Sequence, residues 1–360
     1  MVFAAGCFPD DQLHVDKLDA TTDVRADLGA DDSAVIDVRT TDVPTMDVVV
    51  DAGSPADTGP ADAGTMTDAG PIIDGSACAL APPMATTAPV FDGLTNPRDF
   101  VFDGRGGVLV AQGNTVQRRA NGVLSTLTTI GAGEIVALRY TRTFGLVMAV
   151  VTATDAGTSS GAIYQLVPGA SIPSLRQGGL RRPAGIAVDA NDGVWFSDTA
   201  ANTVYWMPGD PSGGVSARAV VTDIPSPTQL LVDAAGRYLY AARSDTNTVM
   251  RVELSTGDAG TPGSASEFVG GFSRVSGLAQ DTCGNIFIAD ELVNRVWRVP
   301  LDTSIAASRV VTDVNGPRSI MFGVGAPYGP REIYSLSSMD GTLRGANLVA
   351  LGSTLPVPTP

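Results

Sequence analysis

From residue 96 onward the apolar positions of this chain come in short runs of five or six, separated by turns that recur in kind and in spacing. Four segments align directly. They are Asn96-Pro-Arg-Asp-Phe-Val-Phe-Asp103 with Gly107-Val-Leu-Val-Ala-Gln112, and Arg182-Pro-Ala-Gly-Ile-Ala-Val-Asp189 with Gly193-Val-Trp-Phe-Ser-Asp198. The other two are Ser226-Pro-Thr-Gln-Leu-Leu-Val-Asp233 with Tyr238-Leu-Tyr-Ala-Ala242, and Arg274-Val-Ser-Gly-Leu-Ala-Gln-Asp281 with Asn285-Ile-Phe-Ile-Ala-Asp290. The first run of each predicts a strand. The aspartate and the glycine after it predict a tight turn, in which Asp accepts from its own backbone and Gly takes positive φ. The β-branched and aromatic run predicts a second strand, and Asn114, Asn202, Asn247 or Asn294 opens a third.

The turn aspartates stand at 103, 189, 233 and 281, so neighbours are 44 and 48 apart and the first gap of 86 holds two units. A degenerate copy fills that gap: Ile135-Val-Ala-Leu-Arg-Tyr, the turn Thr141–Gly145, and Leu146-Val-Met-Ala-Val-Val. A sixth unit follows at Pro317-Arg-Ser-Ile-Met-Phe322, with Glu332-Ile-Tyr-Ser-Leu as its second strand. Six units of 40–50 residues with three or four strands each predict an all-β, six-bladed β-propeller over residues 77–360. The last unit runs out after Gly341–Leu348, so a strand at about 86–92 is expected to close it from the N-terminal side.

Charge divides the chain in two. The formal net charge is −15, and residues 1–76 carry sixteen Asp and no Glu against Lys17, Arg25 and Arg39, which leaves −2 for the rest. Repeated Asp, Ala, Gly, Thr and Pro over residues 8–76 cannot bury enough apolar surface to offset roughly 1–2 kcal/mol of backbone entropy per ordered residue, so a disordered acidic tether is expected there. The acidic balance argues against nucleic acid as a partner. No run of about 18 apolar residues predicts a membrane-spanning helix. The single histidine, His14, and single lysine, Lys17, both precede the repeats, which leaves residues 77–360 without His-based nucleophilic catalysis or a Schiff-base lysine.

Residues 4–7, Ala-Ala-Gly-Cys, resemble the lipobox of bacterial lipoproteins. The resemblance implies lipidation of Cys7 and residues 1–7 as the remnant of a signal peptide. It also implies a membrane partner and a place in the cell envelope (periplasm or outer membrane) or outside the cell. Only six residues precede Cys7, fewer than a basic region and apolar stretch need, so the resemblance requires a start further upstream. Otherwise Cys7 is an unmodified cysteine of the tail.

The repeats resemble the NHL-repeat and gluconolactonase/regucalcin-like propellers, with Ser319–Tyr334 especially like the last blade of the latter. The resemblance implies either a binding module or a hydrolase of lactones or esters with one divalent cation, such as calcium, in its channel. Its metal-ligand positions fall on Thr95, Ala184 and Ser276, which cannot replace carboxylates around a hard cation. No metal, cofactor or catalytic residue is therefore expected, and a protein or small polar ligand is the expected partner of a monomer. Candidate binding residues come from the channel face: Asp198, Arg243, Asp245, Asp290 and Glu291 at the ends of second strands. The starts of first strands add Arg98, Asp99, Arg182, Gln229, Arg274 and Arg318. Cys283 in the fifth unit's turn and Cys78 before the closing strand fall on one face of adjacent blades, so a disulfide between them is expected in an oxidising compartment.

Overall fold

The computed structural model describes residues 84–153, 159–254, 262–302, 304–348, 350, 352, 353 and 356. The chain falls into two units, Met1–Asp68 and Ala69–Pro360, and every described residue belongs to the second. The expected tether, Cys7 and Cys78 lie outside the described residues.

Among the described residues there is no α-helix, and the strands form six sheets arranged as the blades of a propeller. The innermost strands are Pro97–Phe102, Glu134–Thr141, Pro183–Val188, Pro227–Val232, Val275–Gln280 and Pro317–Phe322. Each packs on its neighbours in that order, and the sixth packs on the first, so the ring is closed. They run side by side around a central channel from a mouth, where they begin, to a base, where they end. Second strands are buried on both faces, as in Val194–Asp198 and Ile286–Asp290, because each sheet is sandwiched between two others. Hence their sequences read as unbroken apolar runs rather than alternations. At the rim, Val123–Thr129 is almost wholly exposed.

The repeated turn works as its residue types require. Asp103 Oδ1 accepts from the Arg105 and Gly107 amides at 2.7 and 2.8 Å, and Asp281 Oδ1 from those of Cys283 and Asn285 at 3.0 and 2.8 Å. Gly236 and Gly284 take the left-handed conformation at φ 66° and 85°. In the third blade that conformation falls on Asp192, φ 63°, one residue before Gly193. Gly193 is needed for space instead, since a Cβ there would strike the Asp189 carboxylate and the Trp206 indole. The degenerate second blade has Thr141 where the first, third, fourth and fifth have Asp, and its Oγ1 accepts only the Phe144 amide, at 2.9 Å. The adjacent Arg142 and Thr143 amides are taken up by Asp192 of the next blade, at 2.6 and 3.1 Å. One blade's missing carboxylate is thus supplied by its neighbour. Asn202, Asn247 and Asn294 sit at φ 54–56° where the third strands begin, and Oδ1 of Asn202 and Asn294 binds the amides of Ser226 and Gly316 at the entry to the following blade.

Closure comes from the N-terminal side, with one addition. Ala88–Phe91 is the outer strand of the sixth blade, antiparallel to Leu343–Asn347. Just before it, Ala85–Thr86 pairs in parallel with the outer strand of the fifth blade, Ser308–Thr312. The closing segment therefore straps two blades, where the sequence predicts one. Phe102 and Tyr334 meet edge-on across the seam between first and last blades, with ring centres 5.0 Å apart.

Candidate functional site

Two columns of the repeat define the channel mouth. Immediately before the innermost strands, or as their first residue, stand Asn96, Glu134, Arg182, Ser226, Arg274 and Gly316. Two residues further along are Arg98, Val136, Ala184, Thr228, Ser276 and Arg318. Every pairing between a first and a second strand shifts register at this end: between Pro97 and Phe100, Ile135 and Ala137, Pro183 and Ile186, Pro227 and Leu230, Val275 and Gly277, and Pro317 and Ser319. Such bulges bend a strand locally and re-aim its side chains. The whole second column turns into a cavity of about 320 Å³ at the mouth, to which all six blades contribute. Arg98 and Arg318 crowd one side, and the small residues Ala184, Thr228 and Ser276 leave room on the other.

The charges are partly paired. Arg98 forks onto Glu134, with Nε to Oε1 at 2.5 Å and Nη2 to Oε2 at 2.8 Å. Glu291, 5 % exposed, receives Arg274 Nε at 2.9 Å and lies 3.7 Å from Arg318 Nη1, while Ser338 Oγ donates to it at 3.2 Å. Burial holds the Arg318 guanidinium below its ordinary pKa; Glu291 raises it again, and Arg98 and Arg274 push it back down. Arg182 is exposed, and its guanidinium has no hydrogen-bond or ion-pair partner among the described residues.

Of the residues expected from sequence, Arg98, Arg182, Gln229, Arg274, Glu291 and Arg318 line this cavity. Asp99, Asp198 and Asp290 do not, because they are turned inward and consumed by structural bonds. Asp198, 1 % exposed, caps the amides of Arg181 and Arg182 at 2.7 and 2.8 Å, and Asp290 caps those of Ser273 and Arg274 at 3.0 and 2.8 Å. These two carboxylates therefore fix the backbone that carries two of the mouth arginines. Asp99, 2 % exposed, joins three blades: it accepts from the Leu138 amide at 2.9 Å, Arg139 Nη1 at 2.7 Å and Ser319 Oγ at 2.6 Å. Arg243 and Asp245 pair with each other outside the cavity, at 3.0 and 2.6 Å, and that bond holds the Asp245 carboxyl below its usual pKa. Glu134 is the lining charge that sequence reasoning missed. Its place in the same column as Arg182 and Arg274 is the signal that could have found it.

A divalent cation does not fit this mouth. Ala184 and Ser276, at positions the family resemblance assigns to metal ligands, do line it, but Thr95 does not, and both glutamates are committed to arginines. Among the described residues no three His, Cys, Asp or Glu side chains group as metal ligands.

At the base, residues of all six innermost strands surround a cavity of only about 40 Å³, with Ser353 and Pro356 lying against it. Ser353 is tied to the Gln280 carbonyl through its amide at 3.0 Å and its hydroxyl at 2.7 Å, and Gly352 N bonds Pro330 O at 2.7 Å. Nearby, Cys283 is disulfide-bonded. Its possible partners, Cys7 and Cys78, both lie outside the described residues.

The sequence matches no protein-family profile and no curated protein. Solved structures match the fold. A calcium-binding protein, regucalcin, from Agrobacterium tumefaciens superposes with a TM-score of 0.58 at 16 % identity, covering 77 % of this chain and 99 % of that one. An auxiliary nutrient binding protein from Bacteroides ovatus gives 0.57 at 13 %, covering 73 % and 72 %. A putative gluconolactonase gives 0.53 at 15 %, covering 76 % and 96 %. At such identities the likeness is one of fold.

Proposed function

We propose that this chain is an exported, lipid-anchored propeller that binds a small polar ligand at the channel mouth and carries out no metal-dependent chemistry. The observation that carries the reading is the mouth itself. It is a cavity of about 320 Å³, within the size range of small-molecule sites, whose lining includes the exposed guanidinium of Arg182, without a partner among the described residues, and the buried Glu291. Binding without catalysis is the simpler use of a site whose two carboxylates are already occupied by arginines. The superposition on a nutrient-binding propeller is in keeping with that use.

Export rests on the lipobox-like residues before Cys7 and on the disulfide at Cys283, a bond that persists in oxidising compartments. Cys78 is the proposed partner of Cys283. Thiol counting and peptide mapping of unreduced, unfolded protein test this; a free Cys283, or a bridge to Cys7, counts against it.

Hydrolysis of a lactone or ester is the second reading, favoured by the gluconolactonase-like superposition and by Ala184 and Ser276 lying where that family holds its ligands. The two readings separate in one experiment. The full chain is equilibrated with a bacterial metabolite extract, dialysed, and its retained small molecules identified by mass spectrometry, alongside a lactone and ester hydrolysis panel. Stoichiometric retention that Ala184→Trp abolishes supports binding at the mouth. Turnover dependent on an added divalent cation supports hydrolysis instead, and neither result sinks both.

A further inference from the structure

We propose that the ligand is a polyhydroxylated organic oxyanion, such as a sugar acid, whose charged end is received by Arg182 and the Arg274–Arg318 pair. The inference rests on the mouth being the ligand site and deepens it.

Charge comes first. Residues 77–360 sum to −2, yet the mouth is lined by four arginines, Arg98, Arg182, Arg274 and Arg318, against Glu134 and Glu291. The local balance is +2, opposite in sign to the domain that carries it. Concave, partly desolvated sites concentrate such a field and draw in ions of opposite charge.

Pairing shows which of the four arginines are free to act. Arg98 is saturated by its fork onto Glu134. Glu291 must serve two guanidiniums, and its contacts are unequal: 2.9 Å to Arg274 and 3.7 Å to Arg318. One carboxylate therefore stands between two cations, and a third, Arg182, has none among the described residues. Asp198, the acid that reaches the Arg182 backbone, is spent on amides. Burial above all, and then the neighbouring Arg98 and Arg274, disfavour the charge on Arg318, so an incoming anion would add to the support that Glu291 gives it. Planar guanidiniums also present paired donors matched to a carboxylate or phosphate. A cation would meet the reverse.

The blade between Arg182 and Arg274 supplies the rest of the chemistry. Thr228, Gln229 and Ser244 of that fourth blade, with Thr199 next to Arg182, line the same cavity with neutral donors and acceptors, which suits hydroxyl groups. Carboxylates and phosphates share the charged end, and the arms of the test separate them.

Isothermal titration of the full chain at low salt uses D-galacturonate, galactose 1-phosphate, galactose, methyl galacturonate and calcium chloride. The expected result is saturable binding of an anion, at least tenfold tighter than its neutral counterpart and weakened by 0.5 M salt. Arg182→Ala, at an exposed position, should weaken it about tenfold with an unchanged melting temperature. Preference between the first two probes assigns carboxylate or phosphate. Equal binding of galactose and galacturonate, tight calcium binding, or silence of every probe overturns the anion inference. The metabolite-retention result distinguishes these failures: a neutral or cationic compound lost in Ala184→Trp keeps the mouth as a site, and no retained compound removes that too.

Discussion

Mouth and base are made by the same six strands, a few residues apart along each, and they have been put to different ends. At the mouth, register shifts turn side chains into open space, the small residues Ala184 and Ser276 face the arginines Arg98 and Arg318, and the cavity measures about 320 Å³. At the base the strands close around apolar residues such as Val101, Leu231 and Met321, about 40 Å³ is left, and Ser353 lies against it. The difference teaches that the channel is not a pore in which any position could serve. Its packed half secures the ring, and only its bulged half is free to vary for recognition.

The sharpest way to break that division is Asp99, which sits where the halves meet. Asp99→Ala removes the acceptor for Leu138, Arg139 and Ser319 and leaves the Arg139 guanidinium, 13 % exposed, without its carboxylate. A loss of about 3–5 kcal/mol is expected, since stripping one partner from a buried pair leaves an uncompensated charge. Urea denaturation measures it; a change under 1 kcal/mol would mean that the blades do not depend on this tie. Smaller in effect and confined to the base is Gly352→Val. A Cβ at that position meets the Phe322 ring, so the segment around Ser353 must lift, at a cost of about 1–3 kcal/mol. Hydrogen exchange should quicken at Ser353 while galacturonate affinity holds. If affinity falls too, the halves are coupled and the comparison fails.

Arg243→Ala, outside both halves, should do least. The Asp245 carboxyl is held below its ordinary pKa chiefly by the Arg243 hydrogen bond. A depressed carboxylate contributes stability above its unfolded pKa and loses it as pH falls through the folded value. The variant should therefore match the parent near pH 2, differ only slightly at pH 7 because the pair is solvent-screened, and show an upward Asp245 titration by NMR.

The ring was legible because its signal is repeated: four copies of an aspartate turn and an asparagine corner are hard to mistake, and their spacing exposes the degenerate second blade. What could not be read was where single carboxylates point. Asp198 and Asp290 end second strands at the mouth, as Glu291 nearly does, yet burial and two backbone amides claim the first two while Glu291 meets arginines. One residue of register decides that outcome, and sequence periodicity does not resolve it at a bulge. The Asp192 contact to Arg142 was hidden for another reason: it crosses between blades, whereas a repeat reveals only what recurs within one.

The strap over the last two blades also sets an order of events in time. Ala88 faces Gly345, and Thr87 Oγ1 donates to the Asp313 carbonyl 226 positions away. A chain made from its N-terminus exposes these residues first and their partners last, so the earliest strand to appear waits longest for its ladder. Joining ends so far apart in sequence makes closure a late step, reached only after the intervening blades have shortened the path between them. Until residues 343–347 have been delivered, the ring cannot lock, and any process that needs the chain unfolded keeps its opportunity to the end.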